Sequence, residues 1–172
     1  MGPTKAYALR SVAPLALIAA LAPGHSLLAP THSPIRSREL WATVDVCSPK
    51  DQPNTIGVRG SMPGDGHAKD IMYMRVRVQY LDATAKRWVN LGKGDSGPLK
   101  LGSGALARQG GFSVELAPSA GASAFTLRGY VIFQWRRGAT VLQSATRLTT
   151  SGHTSAALAD PRGFSAATCK LT

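Results

Sequence analysis

Between Ile71 and Tyr80 the chain reads IMYMRVRVQY, and this run constrains its fold more than any other feature. Met72, Met74, Val76, Val78 and Tyr80 take every second position, with Tyr73, Arg75, Arg77 and Gln79 between them. Side chains alternate across a β-strand with a period of two, so one face belongs to a core and the other to solvent. A helix would scatter the same arginines around its circumference.

A second run, FTLRGYVIFQWR, places Phe125, Leu127, Gly129, Val131, Phe133 and Trp135 on one face. Arg128, Tyr130, Gln134 and Arg136 lie on the other face, with Ile132. Arg137-Gly138 predicts a turn and Ala139 to Leu148 the returning strand of a hairpin. Shorter strands are expected at Leu40 to Cys47, Thr55 to Gly60, Arg87 to Leu91, Gly111 to Leu116 and Phe164 to Leu171, each bounded by turn residues. Roughly eight strands with hardly any helical periodicity predict an all-β fold, an antiparallel β-sandwich. At 172 residues, 44% hydrophobic and 17% charged, the chain suffices for one core and not for two.

The N-terminus has a different character. Lys5 and Arg10 precede the apolar run Val12 to Ala22, and no acidic residue appears before Glu39. That run is about half of a bilayer span, which predicts a secretory signal peptide over residues 1–26 and no transmembrane segment after its removal. Cleavage after Ala22, Ser26 or Ala29 fits the small residues there. Residues 27–39, LLAPTHSPIRSRE, read as a flexible linker, and residues 40–172 as the sandwich domain. Export implies a secreted or cell-envelope location and an oxidising compartment. Cys47 and Cys169 are the two cysteines, and they are expected to form one disulfide tying the first strand to the last. Neither has a second Cys or a His at metal-ligand spacing.

The alternating MRVRVQY, the Trp strand RWVNL, and GYVIFQWRRG running into a hairpin resemble immunoglobulin-like and fibronectin type III-like extracellular domains. The resemblance covers Leu40 to Leu171 and implies an immunoglobulin-like sandwich. The chain departs from antibody domains in its cysteines, which have no Trp midway between them. It also resembles secreted actinobacterial proteins, and that likeness implies no particular activity.

The stretch GKGDSGPLKL, Gly92 to Leu101, contains GDSG, as around the nucleophile of chymotrypsin-like proteases. That family has GDSGGP, and the additional Gly shapes the turn presenting the serine; here Pro98 follows Gly97 directly. His67 and Asp70 precede Ser96 in the right order, but only three residues separate them, in GDGHAKD. A small serine hydrolase using Ser96 and His67 is therefore the weaker reading. The same residues fit GxGxxG, but Pro98, Gly102 and Gly104 exclude the helix that a dinucleotide loop needs. A Gly-rich turn is expected instead. His25, His32, His67 and His153 are scattered and Asp65 with Asp70 is the one acidic loop pair, so no metal site and no cofactor are expected.

Charge points to a class of partner. The chain carries 20 basic and 9 acidic residues, a net +11, which favours anionic ligands. An arginine-rich composition also follows from a GC-rich genome, so charge alone selects no ligand. If the two long strands neighbour each other, Arg75, Arg77, Arg128, Tyr130 and Arg136 share one outer face, with Arg147 joining from the hairpin strand. Arginine offers two-pronged contacts to phosphate, sulfate or uronate groups. The expectation is an exported, non-catalytic protein binding an anionic polysaccharide or envelope polymer through that face. A structural module adding a strand to an exported protein partner is the alternative. No recognisable nucleic-acid module is present.

Overall fold

The structure is a computed structural model and describes residues 33–116, 124–155 and 157–171. The expected signal peptide, residues 1–26, and residues 27–32 of the expected linker lie outside these. A single 3-10 turn, Pro34–Arg36, precedes nine strands: β1 (Trp41–Cys47), β2 (Thr55–Met62), β3 (Ile71–Asp82), β4 (Arg87–Asp95), β5 (Leu99–Ser103), β6 (Arg108–Glu115), β7 (Phe125–Arg137), β8 (Thr140–Leu148) and β9 (Cys169–Leu171). They form two antiparallel sheets. The smaller has the order β1-β2-β6; the larger runs β4-β3-β7-β8, with β5 also pairing β3 and β9 also pairing β7. The fold is an all-β sandwich, and its described residues contain no α-helix.

The core lies between the sheets and follows the period-two pattern. Met72, Met74, Val76 and Val78 of β3, with Leu127, Val131, Phe133 and Trp135 of β7, are fully buried. They meet Ala42 and Val44 of β1 and Ile56, Val58 and Met62 of β2. Two glycines let the sheets approach. A Cβ on Gly60 would lie 2.7 Å from the Met74 sulfur, and one on Gly129 would lie 2.8 Å from a Val58 methyl. The indole N–H of Trp135, the largest core side chain, donates to the Pro63 carbonyl at 3.1 Å.

β1 and β2 of the small sheet are buried on their outer side as well, where the chain after β8 folds back against them, whereas β6 stays open to solvent. Val44 and Ala166 exchange backbone hydrogen bonds. The Thr43 and Ser165 hydroxyls bond at 2.7 Å, and His153 stacks on Trp41 with ring centroids 4.3 Å apart. Beneath this cover Arg59 and Asp45 pair at 3.2 Å, with side chains 3% and 8% exposed. Asp45 follows Thr43 onto the outer side by strand alternation, at the bulge between Val44 and Val46. Nη1 of Arg59 donates to Gln109 Oε1 and Nη2 to the His153 carbonyl, so each nitrogen of the buried guanidinium has a partner.

Where the chain was expected to turn through Gly92 to Leu101, it instead continues as strand on both sides of a short kink. β4 pairs with β3 from Arg77 to Asp82, and β5 pairs with β3 from Ile71 to Met74. Ser96 sits at the kink. Its N–H donates to the Val76 carbonyl, and its hydroxyl accepts the Val76 N–H at 2.9 Å. The side chain thus supplies the ladder bond that the kink would otherwise lose. The linker, too, is partly built into the fold: Pro34 is buried and Ile35 packs on the core.

Cys47 and Cys169 form the expected disulfide. It joins β1 of the small sheet to β9 of the large one across 122 residues of chain. In the chain-entropy treatment, closing such a loop contributes on the order of 4–5 kcal/mol. Replacing both cysteines by Ala is expected to lower stability by about that amount, measured from urea unfolding midpoints. A loss below about 1 kcal/mol would show that packing alone holds the sheets together.

Candidate functional site

The outer face of the large sheet is set by the register of β3 with β7. Arg77 faces Tyr130, Arg75 faces Ile132, Tyr73 faces Gln134 and Gln79 faces Arg128. Because these residues alternate with the buried ones, all of them project away from the core. Arg128 is level with Gln79 and Arg136 with Ile71, so the arginines extend along roughly 27 Å of sheet. β4 adds Trp88 beside Leu81 and Asn90 beside Gln79; β5 adds Lys100 beside Tyr73.

Each guanidinium on this face is held by its own neighbours. Arg75 makes a two-pronged pair with Asp95, at 2.7 Å through Nε and 2.6 Å through Nη2. Arg77 Nε reaches the same carboxylate at 3.3 Å. Arg128 Nε donates to Gln79 Oε1 at 2.9 Å, and its guanidinium lies 4.1 Å from the centre of the Trp88 ring. Arg136 donates to Gln134 Oε1 through both Nε and Nη2 and lies 4.6 Å from the centre of the Tyr73 ring. Among the described residues, both terminal nitrogens of Arg77 and Arg128, and Nη1 of Arg75 and of Arg136, have no hydrogen-bond partner. The arrangement presents fixed, unsatisfied N–H donors to solvent. These contacts restrain the side chains and so reduce the ordering entropy that a ligand must impose.

Asp95 holds Arg75 and Arg77 together at the middle of this array. A four-residue bulge, Leu91 to Gly94 opposite Val78, carries it from the β4 ladder to a position facing Arg77. A Cβ on Gly94 would lie 2.6 Å from the Val78 Cβ, so glycine permits that crossing. Its hydrogen bonds from Arg75 above all, then the Gly97 N–H and the charges of Arg75 and Arg77, outweigh partial burial and bring its pKa down to about 2. Burial lowers the pKa of Arg128.

Five of the six arginine and tyrosine residues expected on this face are there: Arg75, Arg77, Arg128, Tyr130 and Arg136. Arg147 is not. It pairs with Val131, so it leaves β8 on the side of the core, and it donates to the carbonyls of Leu40 and Ile35. Its work is to pin the 3-10 turn to the sheet. Trp88 and Asp95 are the functional residues that strand alternation alone does not identify. The RWVNL string carries Trp88, but only the β3–β4 register shows that its ring supports Arg128.

Other candidates have structural duties. The Ser96 hydroxyl donates to the Gly97 carbonyl at 2.7 Å in addition to accepting from Val76. Asp65, His67 and Asp70 do come together, with ligand atoms within 4.8 Å of one another. However, both Asp70 oxygens accept from Arg137, at 2.6 and 2.9 Å, and this pairing lowers the Asp70 pKa.

No protein-family model matches the chain, and no curated protein and no solved structure matches it either. The functional reading therefore rests on the geometry of the site.

Asp95 makes that geometry testable through pH. Its folded-state pKa lies below the ordinary value of 3.8, so the ionised carboxylate contributes stability above about pH 5 that is lost as pH falls toward about 2. With the carboxylate partly open to solvent, the contribution is about 1–2 kcal/mol. Asp95→Asn is expected to be less stable than the parent by that amount at pH 7 and to unfold with a shallower pH dependence between about pH 5 and 2. Parallel acid-unfolding curves would show that the carboxylate makes no net contribution.

Proposed function

We propose that this is an exported, non-catalytic binding protein that takes an elongated anionic polymer of the cell envelope or extracellular space on the outer face of its large sheet. The observation that carries this reading is the line of Arg128, Arg77, Arg75 and Arg136, each anchored through Nε with terminal N–H groups left open. A carboxylate shared by Arg75 and Arg77, and the rings of Trp88 and Tyr73 beside Arg128 and Arg136, restrain these side chains where a ligand would meet them. The side chains of Arg75 and Arg77 are 38% and 33% exposed, accessible but restrained.

Two antiparallel sheets packed face to face, with the sequence-distant strands β3 and β7 central in one of them, support an immunoglobulin-like assignment. The disulfide supports an oxidising, extracellular location. Hydrolysis through Ser96 is disfavoured because its hydroxyl is engaged by backbone on both sides. A protein-interaction role through strand addition draws on one observation. Among the described residues nothing pairs with the second edge of β8, where Val141, Leu142 and Leu148 are 44%, 42% and 42% exposed.

The two readings separate by salt. Binding to an immobilised acidic polysaccharide is expected to weaken steadily with ionic strength. Replacing Arg77, Arg128 and Arg136 together by Gln should reduce affinity on the order of 30-fold or more at low salt. A control replacing Arg38, Lys50 and Arg162 by Gln removes equal charge elsewhere on the exposed surface and should retain most of the affinity. Equal losses in both variants would reduce the effect to net charge, and salt-independent capture of a protein partner would favour strand addition.

A further inference from the structure

We infer that a depression on this face is a subsite for a carboxylate-bearing sugar ring, so that the polymer bound is a polyuronide and not a chain of phosphates. This rests on the polymer-binding reading and narrows it. The depression has a volume of about 130 Å³ and lies where β3, β7 and the kink after β4 meet, lined by Tyr73, Arg75, Pro98, Ile132, Gln134 and Arg136. That volume suits one acidic substituent and the edge of the ring bearing it, and is well below the size of a pocket that encloses a whole small-molecule ligand.

Its polar wall is almost entirely a donor wall. Gln134 Oε1 is consumed by Nε and Nη2 of Arg136, which leaves the amide N–H₂ of Gln134 as its open group. Arg75 has spent Nε and Nη2 on Asp95 and keeps Nη1; Arg136 also keeps Nη1. Apart from the Tyr73 hydroxyl, none of the polar side chains lining the depression has an acceptor to offer. A neutral sugar, whose hydroxyls must donate as well as accept, is poorly served there, whereas a carboxylate, which only accepts, is well served.

The second wall distinguishes among anions. Pro98 and Ile132 are apolar, and Tyr73 adds a ring whose face is already supported by Arg136. A polyphosphate chain presents charged oxygens along its length and has no C–H groups to set against such a wall. A uronate ring carries its carboxylate at one edge and C–H groups across its faces, so one residue meets both walls at once. The trio of Arg75, Arg77 and Asp95 has a net charge of +1, so the subsite relies on directed donors more than on accumulated charge.

The test titrates the full chain in low salt with three probes: an oligogalacturonate, its fully methyl-esterified form, and a polyphosphate of matched charge. The oligogalacturonate is expected to bind about tenfold more tightly than the polyphosphate, the advantage of burying a few C–H groups, and the ester to bind far more weakly than either. Ile132→Ser, a change at a half-buried outer-face position, is expected to weaken oligogalacturonate binding more than polyphosphate binding and so to narrow that preference. Equal affinity for polyphosphate and oligogalacturonate overturns the uronide assignment and leaves anion binding standing. Binding of the ester as strong as that of the acid also overturns it. Binding of none of the three probes removes the anion-binding reading together with the subsite.

Discussion

The antiparallel ladder between β3 and β7, ten residue pairs from Ile71–Arg136 to Tyr80–Leu127, is the constraint on which the rest of the molecule depends. Both strands have strict period-two alternation, so one register serves both sides of the sheet. Met74 opposes Phe133 and Val76 opposes Val131 within the core, while Arg75 opposes Ile132 and Arg77 opposes Tyr130 outside it. A slip of one residue in either strand would exchange its faces, burying arginines and exposing Phe133 and Trp135. Core packing therefore fixes the backbone positions from which the cationic side chains project, and outer-face contacts are left to orient the guanidinium groups.

Charge is handled differently on the two sheets. Arg59 and Asp45 are withdrawn from solvent by the chain that follows β8. Burial, only partly offset by Arg59, raises the Asp45 pKa, and the Arg59 guanidinium is bonded through all three nitrogens within the protein. Such a pair holds the covering segment in place and offers a ligand nothing. On the outer face of the large sheet Arg75, Arg77, Arg128 and Arg136 are each satisfied only through part of the guanidinium. The contrast lies in the remaining donors: each nitrogen of Arg59 has a partner, whereas the outer-face arginines keep open ones.

The strands that alternate strictly were legible in the sequence, and with them five residues of the outer face. The rest depended on pairings over long distances. TVLQSATRL has no period-two pattern, so nothing local shows that Arg147 faces inward; the hairpin register with β7 decides it. GDSGPLKL is rich in turn residues, yet β5 forms because the exposed edge of β3 supplies a ladder from Ile71 to Met74. Local propensity describes Ser96 to Pro98 correctly and fails on both sides, where pairing overrides it. Asp95 was legible as a member of a protease-like string. Its actual partners, Arg75 and Arg77, are brought to it by a bulge that no spacing rule announces.

A carboxylate at the centre of a cationic array bears on what that array can recognise. Removing Asp95 would increase the net charge of the face by one unit and strengthen its attraction to any polyanion, because attraction at a distance depends on charge and little on geometry. It would also release Arg75 and Arg77 to sample other rotamers, so that each new contact would have to overcome the entropy of ordering a long side chain. With Asp95 in place, nonspecific attraction is weaker and the remaining N–H groups point in set directions. Such a site discriminates by where the acceptors of a ligand lie and less by how many charges it carries. The same reasoning applies to Gln79 and Gln134, neutral acceptors that orient Arg128 and Arg136 without cancelling their charge. The face thus combines two anchoring devices: a carboxylate where two arginines crowd together, and amides where one stands alone against an aromatic ring.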